Sequence, residues 1–171
     1  TRSGLTNGTN YYLYVKVNGV AENYVADTQW AVSEAITPNN TVYYEKVTSA
    51  LDDWSGEYLI VWGDNAHYAI TDNGLTTTAS VSISDNKIAS TGHDSHKVTI
   101  EKVSTNYYIK LPSGNYITND SSKNTCTEIA SQSQAYTFSI SDGYAVITGA
   151  GSKILQKNSS YYRFYADNAS Y

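Results

Sequence analysis

Apolar and polar residues alternate along most of this chain, and short polar stretches interrupt the alternation at regular intervals. Residues 11–17, YYLYVKV, place Tyr11, Leu13, Val15 and Val17 on one side and Tyr12, Tyr14 and Lys16 on the other. Successive side chains of a strand point to opposite faces, so period two over seven residues predicts a half-buried strand. VNGV (17–20) is a turn signal, and TQWAVSEAI (28–36) alternates again, more weakly. TPNN (37–40) then breaks the pattern, because Pro cannot donate to a ladder and Asn tolerates turn backbone. The first segment is therefore 1–38, with a linker at 39–42.

From Val42 the pattern becomes short strands with regular punctuation. VYYEKV (42–47), EYLIVW (57–62), HYAIT (67–71) and ASVSIS (79–84) form one set. HKVTIEKV (96–103), NYYIKL (106–111), NYIT (115–118) and CTEIA (126–130) form a second. AYTFSI (135–140), YAVIT (144–148), KILQK (153–157) and YRFYA (162–166) form a third. The middle pair of each set is joined by a Gly-, Asp- or Asn-containing turn: GDNA, PSGN and GAGS. Such a repeat has to be read before any single motif. It predicts an all-β chain whose residues 43–171 form a β-trefoil-like barrel, six strands capped by three hairpins, with closure removing exposed edges. The inward set would be Leu59, Val61, Ile70, Val81, Ile83, Val98, Ile100, Ile109, Ile117, Phe138, Ile140, Val146, Ile154, Leu155 and Phe164. The alternative is a β-sandwich throughout, which alternation alone does not exclude.

Composition narrows the setting. Polarity comes from Ser, Thr, Asn and 17 Tyr, with only 16% charged residues. Tyr and Thr favour strands, while Asn, Gly and Asp favour turns. The net charge of −5 and the scattered basic residues argue against nucleic acid, whose phosphates demand clustered Lys and Arg. No apolar run reaches the roughly 18 residues of a membrane span, so no membrane insertion is expected. Cys126 is the only cysteine, which rules out an intrachain disulfide and fits a small apolar packing residue. The whole reads as a secreted or surface protein.

Two resemblances extend this reading. Leu5, Gly8, Thr9, Tyr11, Leu13, Val15 and Val17 resemble the fibronectin type III pattern, in which the Tyr forms the corner before the penultimate strand. WAVSEAITP looks like the last strand, so 1–38 resembles the final two strands of such a β-sandwich. Residues 43–171 are similar to a module of multidomain exported proteins from gut Bacteroidetes and related bacteria. The residues that carry this are YEKVTSALDDWSGEYLIVW (44–62), HKVTIEKV with YYIKLPSGNYI, and the closing YYRFY. The resemblance implies a position after fibronectin-like domains or enzymes, and one further apolar strand beyond FYADNASY. On this reading the chain is a fragment of a longer surface protein.

Candidate chemistry is sparse. Asp52 and Asp53 in LDDWSGEY (51–58) could be a carboxylate pair, but adjacent strand residues diverge. A corner accounts for them better: Asp caps a turn, Trp54 packs on the barrel end and Gly56 supplies an unusual backbone angle. GHDSH (92–96) offers His93, Asp94 and His96 in a connector, without a third ligand for a metal. The Asp-Asn pairs at 64–65, 72–73, 85–86 and 167–168 read as turns rather than calcium loops. No nucleophile elbow or phosphate loop is present.

We therefore expect no enzyme and no cofactor. The expected function is a non-catalytic extracellular binding module for a glycan or cell surface, with a structural spacer or assembly subunit as the alternative. The expected ligand-binding residues are Trp54, Trp62, Tyr161, Tyr162, Arg163 and Tyr165, since aromatic faces stack on sugars and Tyr-rich surfaces suit recognition. An unpaired edge in 1–38 could also pair with a neighbouring chain or pack on the barrel.

Overall fold

The computed structural model describes residues 14–15, 31–32, 42–63, 67–71 and 78–166. The chain divides into two units, Thr1–Thr41 and Val42–Tyr171. In the first, β1 (Tyr14–Val15) and β2 (Ala31–Val32) form one antiparallel ladder, pairing Tyr14 with Val32 and Val15 with Ala31. These strands fall inside the two segments whose alternation predicted them. The faces assigned to Tyr11, Leu13 and Val17, and any partner for this segment's edge, lie outside the described residues.

The second unit contains every strand expected of it: β3 (Tyr43–Glu45), β4 (Gly56–Leu59), β5 (Val61–Trp62), β6 (His67–Ile70) and β7 (Thr78–Val81). One further strand, β8 (Lys87–Ala89), was not expected. Then follow β9 (Lys97–Val103), β10 (Asn106–Lys110), β11 (Tyr116–Thr118), β12 (Thr127–Ile129), β13 (Thr137–Ser141), β14 (Tyr144–Thr148), β15 (Ile154–Asn158) and β16 (Tyr161–Tyr165). All pairings are antiparallel. The sheets are β12-β11-β10-β9-β4, β13-β14-β15-β16, β5-β6-β7 and β3-β8. The described residues contain no α-helix, and no helix long and apolar enough to cross a membrane.

The chain is all-β, as expected, but among the described residues the hydrogen-bonded ladders do not close into a barrel. The expected single strand 57–62 explains part of this, because it serves two sheets. Up to Leu59 it pairs with β9, placing Tyr58 opposite Val98. From Ile60 it turns to β6: the Ile60 carbonyl accepts the Ile70 N–H at 2.9 Å, and Val61 lies opposite Ala69. Strands that change sheets at a bend make the corners of two-layer β structures.

The second and third strand sets share one plan. A long hairpin (β9-β10, β13-β14) meets its next strand through a single register pair: Lys110 with Tyr116, and Thr148 with Ile154. The intervening turns are PSGN, with Gly114 at φ +91°, and GAGS, with Gly151 at φ +68°. At Gly151 an added Cβ would lie 2.9 Å from the Ser121 carbonyl oxygen, so both backbone angle and space demand glycine.

The larger core joins Ile70, Val98, Ile109, Leu111, Ile117, Tyr136, Ile147, Leu155, Tyr162 and Phe164. A smaller cluster holds Ala69, Val81 and Ile88, covered by Tyr44, Leu59 and Val61. Most of the expected inward residues are buried or half-buried. Ile83 is instead exposed, lying beyond the end of β7. One buried polar side chain stiffens the core's edge. Asn119 accepts the Ala150 N–H at 3.0 Å and donates to the Ala150 carbonyl at 3.1 Å.

Candidate functional site

A half-open concavity in the second unit gathers three segments distant in sequence. Leu51, Asp52 and Trp54 come from the loop before β4. Thr105, Asn106 and Tyr107 come from the β9-β10 turn, and Ala135, Tyr136, Thr137 and Phe138 from the start of β13. It encloses about 360 Å³. Ligand clefts generally measure roughly 300–1,000 Å³, so this one is sized for a single small residue.

Local sequence explains how each segment arrives. β9 and β10 form a tight hairpin, with Asn106 opposite Val103 and Ser104 in the left-handed region at φ +57°. The hairpin pairs Tyr107 with Lys102 across the strands. Tyr107 then captures β13, its carbonyl accepting the Tyr136 N–H at 2.9 Å. The 51–56 loop is the corner that the sequence suggested: Asp53 Oδ1 accepts the Ser55 N–H at 2.8 Å, and Gly56 sits at φ +144°.

The floor is aromatic. Trp54 stacks on Phe138 with centroids 5.3 Å apart, and Tyr107 meets Phe138 edge-on at 5.8 Å. The Tyr107 hydroxyl accepts the Trp54 N–H at 3.3 Å and lies 3.4 Å from Asp53 Oδ1, where it donates. Lys102 Nζ donates to Asp53 Oδ2 at 3.0 Å and sits 5.5 Å from the Tyr107 ring centre. The Ser55 N–H, followed by Lys102, lowers the Asp53 pKa to about 2, and Asp53 chiefly raises that of Lys102. Asp53 is thus a positioning carboxylate with its charge already matched. Asp52, at the rim, has no hydrogen-bond or ion-pair partner among the described residues.

The residues expected to bind ligand fall in different places. Trp54 is 6% exposed and lies in the cleft floor. Tyr162 is 2% exposed, part of the larger core, with its hydroxyl donated to the Tyr68 carbonyl at 2.7 Å. Tyr165 is 4% exposed and its hydroxyl accepts from Asn158 Nδ2 at 2.8 Å. Trp62 and Tyr161 are exposed, and Arg163 lies 5.2 Å from the Tyr161 ring centre. Of the six, only Trp54 lines the cleft. Tyr107 and Phe138 were missed as partners, because nothing in their local sequence separates them from ordinary strand aromatics.

The remaining candidates behave as structural groups. His93 and His96 approach through their Nδ1 atoms at 3.5 Å, and burial, then the charge of His93, lowers the His96 pKa. Among the described residues no three His, Cys, Asp or Glu side chains converge as a metal site. Cys126 packs against the larger core, and burial pushes its thiol well above the ordinary range. A second polar cluster centres on Glu101, which accepts from Tyr116 Oη, Lys110 Nζ and Gln132 Nε2 at 2.8, 3.1 and 2.7 Å. Three donors share its two oxygens, and the Gln132 contact ties the 130–135 segment to the sheet. Compared with protein-family profiles, curated proteins and solved structures, the chain matches none of them.

Proposed function

We propose that this chain is a non-catalytic recognition segment of an exported protein, with the Trp54 cleft as its glycan-binding site. The observation that carries the reading is the cleft itself: an aromatic floor of Trp54, Phe138 and Tyr107 under a rim of Asp52, Thr105, Asn106 and Thr137. Sugar rings present apolar C–H faces to aromatics and hydroxyls to amides, carboxylates and hydroxyl groups. A binding site of this kind needs few polar groups, provided they converge. The proposal includes an extracellular or cell-surface location, a trefoil-like arrangement of the three strand sets, and a fibronectin type III-like origin for 1–38. Support for the threefold arrangement is the shared plan of β9–β12 and β13–β16.

A glycan array probed with the full chain tests the binding reading. Capture should fall with the rim variant Asn106→Ala/Thr137→Ala and persist with Trp62→Ala/Tyr161→Ala. Loss only in the second variant would move the site to the exposed aromatics of β5 and β16. Capture of no glycan would leave the spacer alternative.

A further inference from the structure

We infer that the cleft takes a positively charged sugar, a pyranose carrying a protonated amine; the inference rests on the glycan reading above and adds the charge of the ligand. Two acidic side chains stand at this corner, and only one is compensated. Asp53 is matched by Lys102 at 3.0 Å, by the Ser55 N–H and by the Tyr107 hydroxyl. Asp52 lines the cleft and has no such partner among the described residues. Counting Asp52, Asp53 and Lys102 leaves one uncancelled negative charge beside the floor.

A neutral ligand covering Asp52 would strip water from an unpaired carboxylate, which is unfavourable. An ammonium group removes that penalty and gains the attraction. The floor adds to the preference, because aromatic faces carry negative quadrupole density and attract cations. Among the described residues no basic side chain lines the cleft, and Lys102 beside it is held by Asp53 and the Tyr107 ring. The net charge of −5 also favours a cationic ligand at long range. An N-acetylated sugar offers no charge for Asp52, so the two forms of one sugar separate the possibilities.

The test is calorimetric titration of the full chain with a glucosamine tetramer and an N-acetylglucosamine tetramer, at low and high salt. The amine form should bind about tenfold tighter at low salt, with the advantage shrinking as salt screens it. Asp52→Asn should abolish the difference. That exchange touches an exposed residue without a described partner, so circular dichroism should show the fold retained. Equal affinity for the two tetramers overturns the charge assignment and leaves the glycan reading standing. So does binding of neither tetramer when a neutral glycan is captured on the array. Capture of no glycan, charged or neutral, overturns both.

Discussion

Deleting the same atom from two buried tyrosines should have different effects on stability. Tyr162 and Tyr136 are each 2% exposed and belong to the same core. The Tyr162 hydroxyl donates to the Tyr68 carbonyl at 2.7 Å and lies 3.4 Å from the Ile60 carbonyl. Tyr162→Phe leaves those backbone groups without this partner, a loss of about 1–3 kcal/mol. The Tyr136 hydroxyl is buried with no hydrogen-bond partner among the described residues, and its ring stacks on Phe164 with centroids 5.5 Å apart. Tyr136→Phe keeps the stack and removes an unsatisfied dipole, so its effect should lie between zero and about 1 kcal/mol of stabilisation. The central difference is about 2.5 kcal/mol. With a urea slope of roughly 2 kcal/mol/M, the two midpoints should differ by about 1.2 M. Urea unfolding followed by near-UV circular dichroism measures this directly. Equal midpoints, or a larger loss for Tyr136→Phe, would refute the reasoning.

Three further outcomes follow from the same geometry. Gly149→Ala should destabilise by about 1–3 kcal/mol, because the new Cβ would lie 2.3 Å from Asn119 Oδ1 and 3.0 Å from Tyr136 Cε1; a thermal midpoint unchanged from wild type would contradict this. Asp53 should titrate by carboxyl NMR near pH 2, below its ordinary 3.8, so its stabilising contribution is present above 3.8 and is lost as pH falls through about 2. A midpoint at 3.8 would show that Ser55 and Lys102 do not hold it. Cys126 should resist a neutral thiol reagent while folded and react fully in denaturant, and rapid labelling of the native chain would count against its packing.

Period-two patterning made the strands legible because a pleated ladder imposes alternation wherever one face is buried. VTIEKV and FSI reveal their inward residues directly. KIA at β8 was not legible, since three residues between Asp-Asn and Ser-Thr-Gly carry too little alternation to stand out. The division at Ile60 was equally hidden: EYLIVW is continuous in pattern, and only the positions of β6 and β9 decide where it parts. Tyrosine caused the largest misreading of role. Tyr162 and Tyr165 fit a wet aromatic surface by composition, yet both lie inside, because a phenol ring packs as an apolar body and passes its hydroxyl to the backbone or to Asn158. The cleft was half legible. LDDWSGEY announced a capped corner, but Tyr107 and Phe138 reach it through tertiary pairing alone.

The turn at Ile60 also bears on how the chain can acquire its structure. The β9-β10 hairpin is local, closing between Val103 and Asn106, and needs nothing upstream. β4 must wait for it, because Tyr58 finds its partner only at Val98, whereas Trp62 can already pair with Tyr68. During synthesis the first set therefore emerges with one half of a strand satisfied and the other half unpaired. Loop closure of that length adds modestly to the entropy cost but delays assembly, since non-local pairing slows folding. The three sets are consequently not interchangeable beads, as the repeats of a solenoid are. A cut at the repeat boundary would divide a sheet, leaving β9 with a bare edge and β4 with nothing to join.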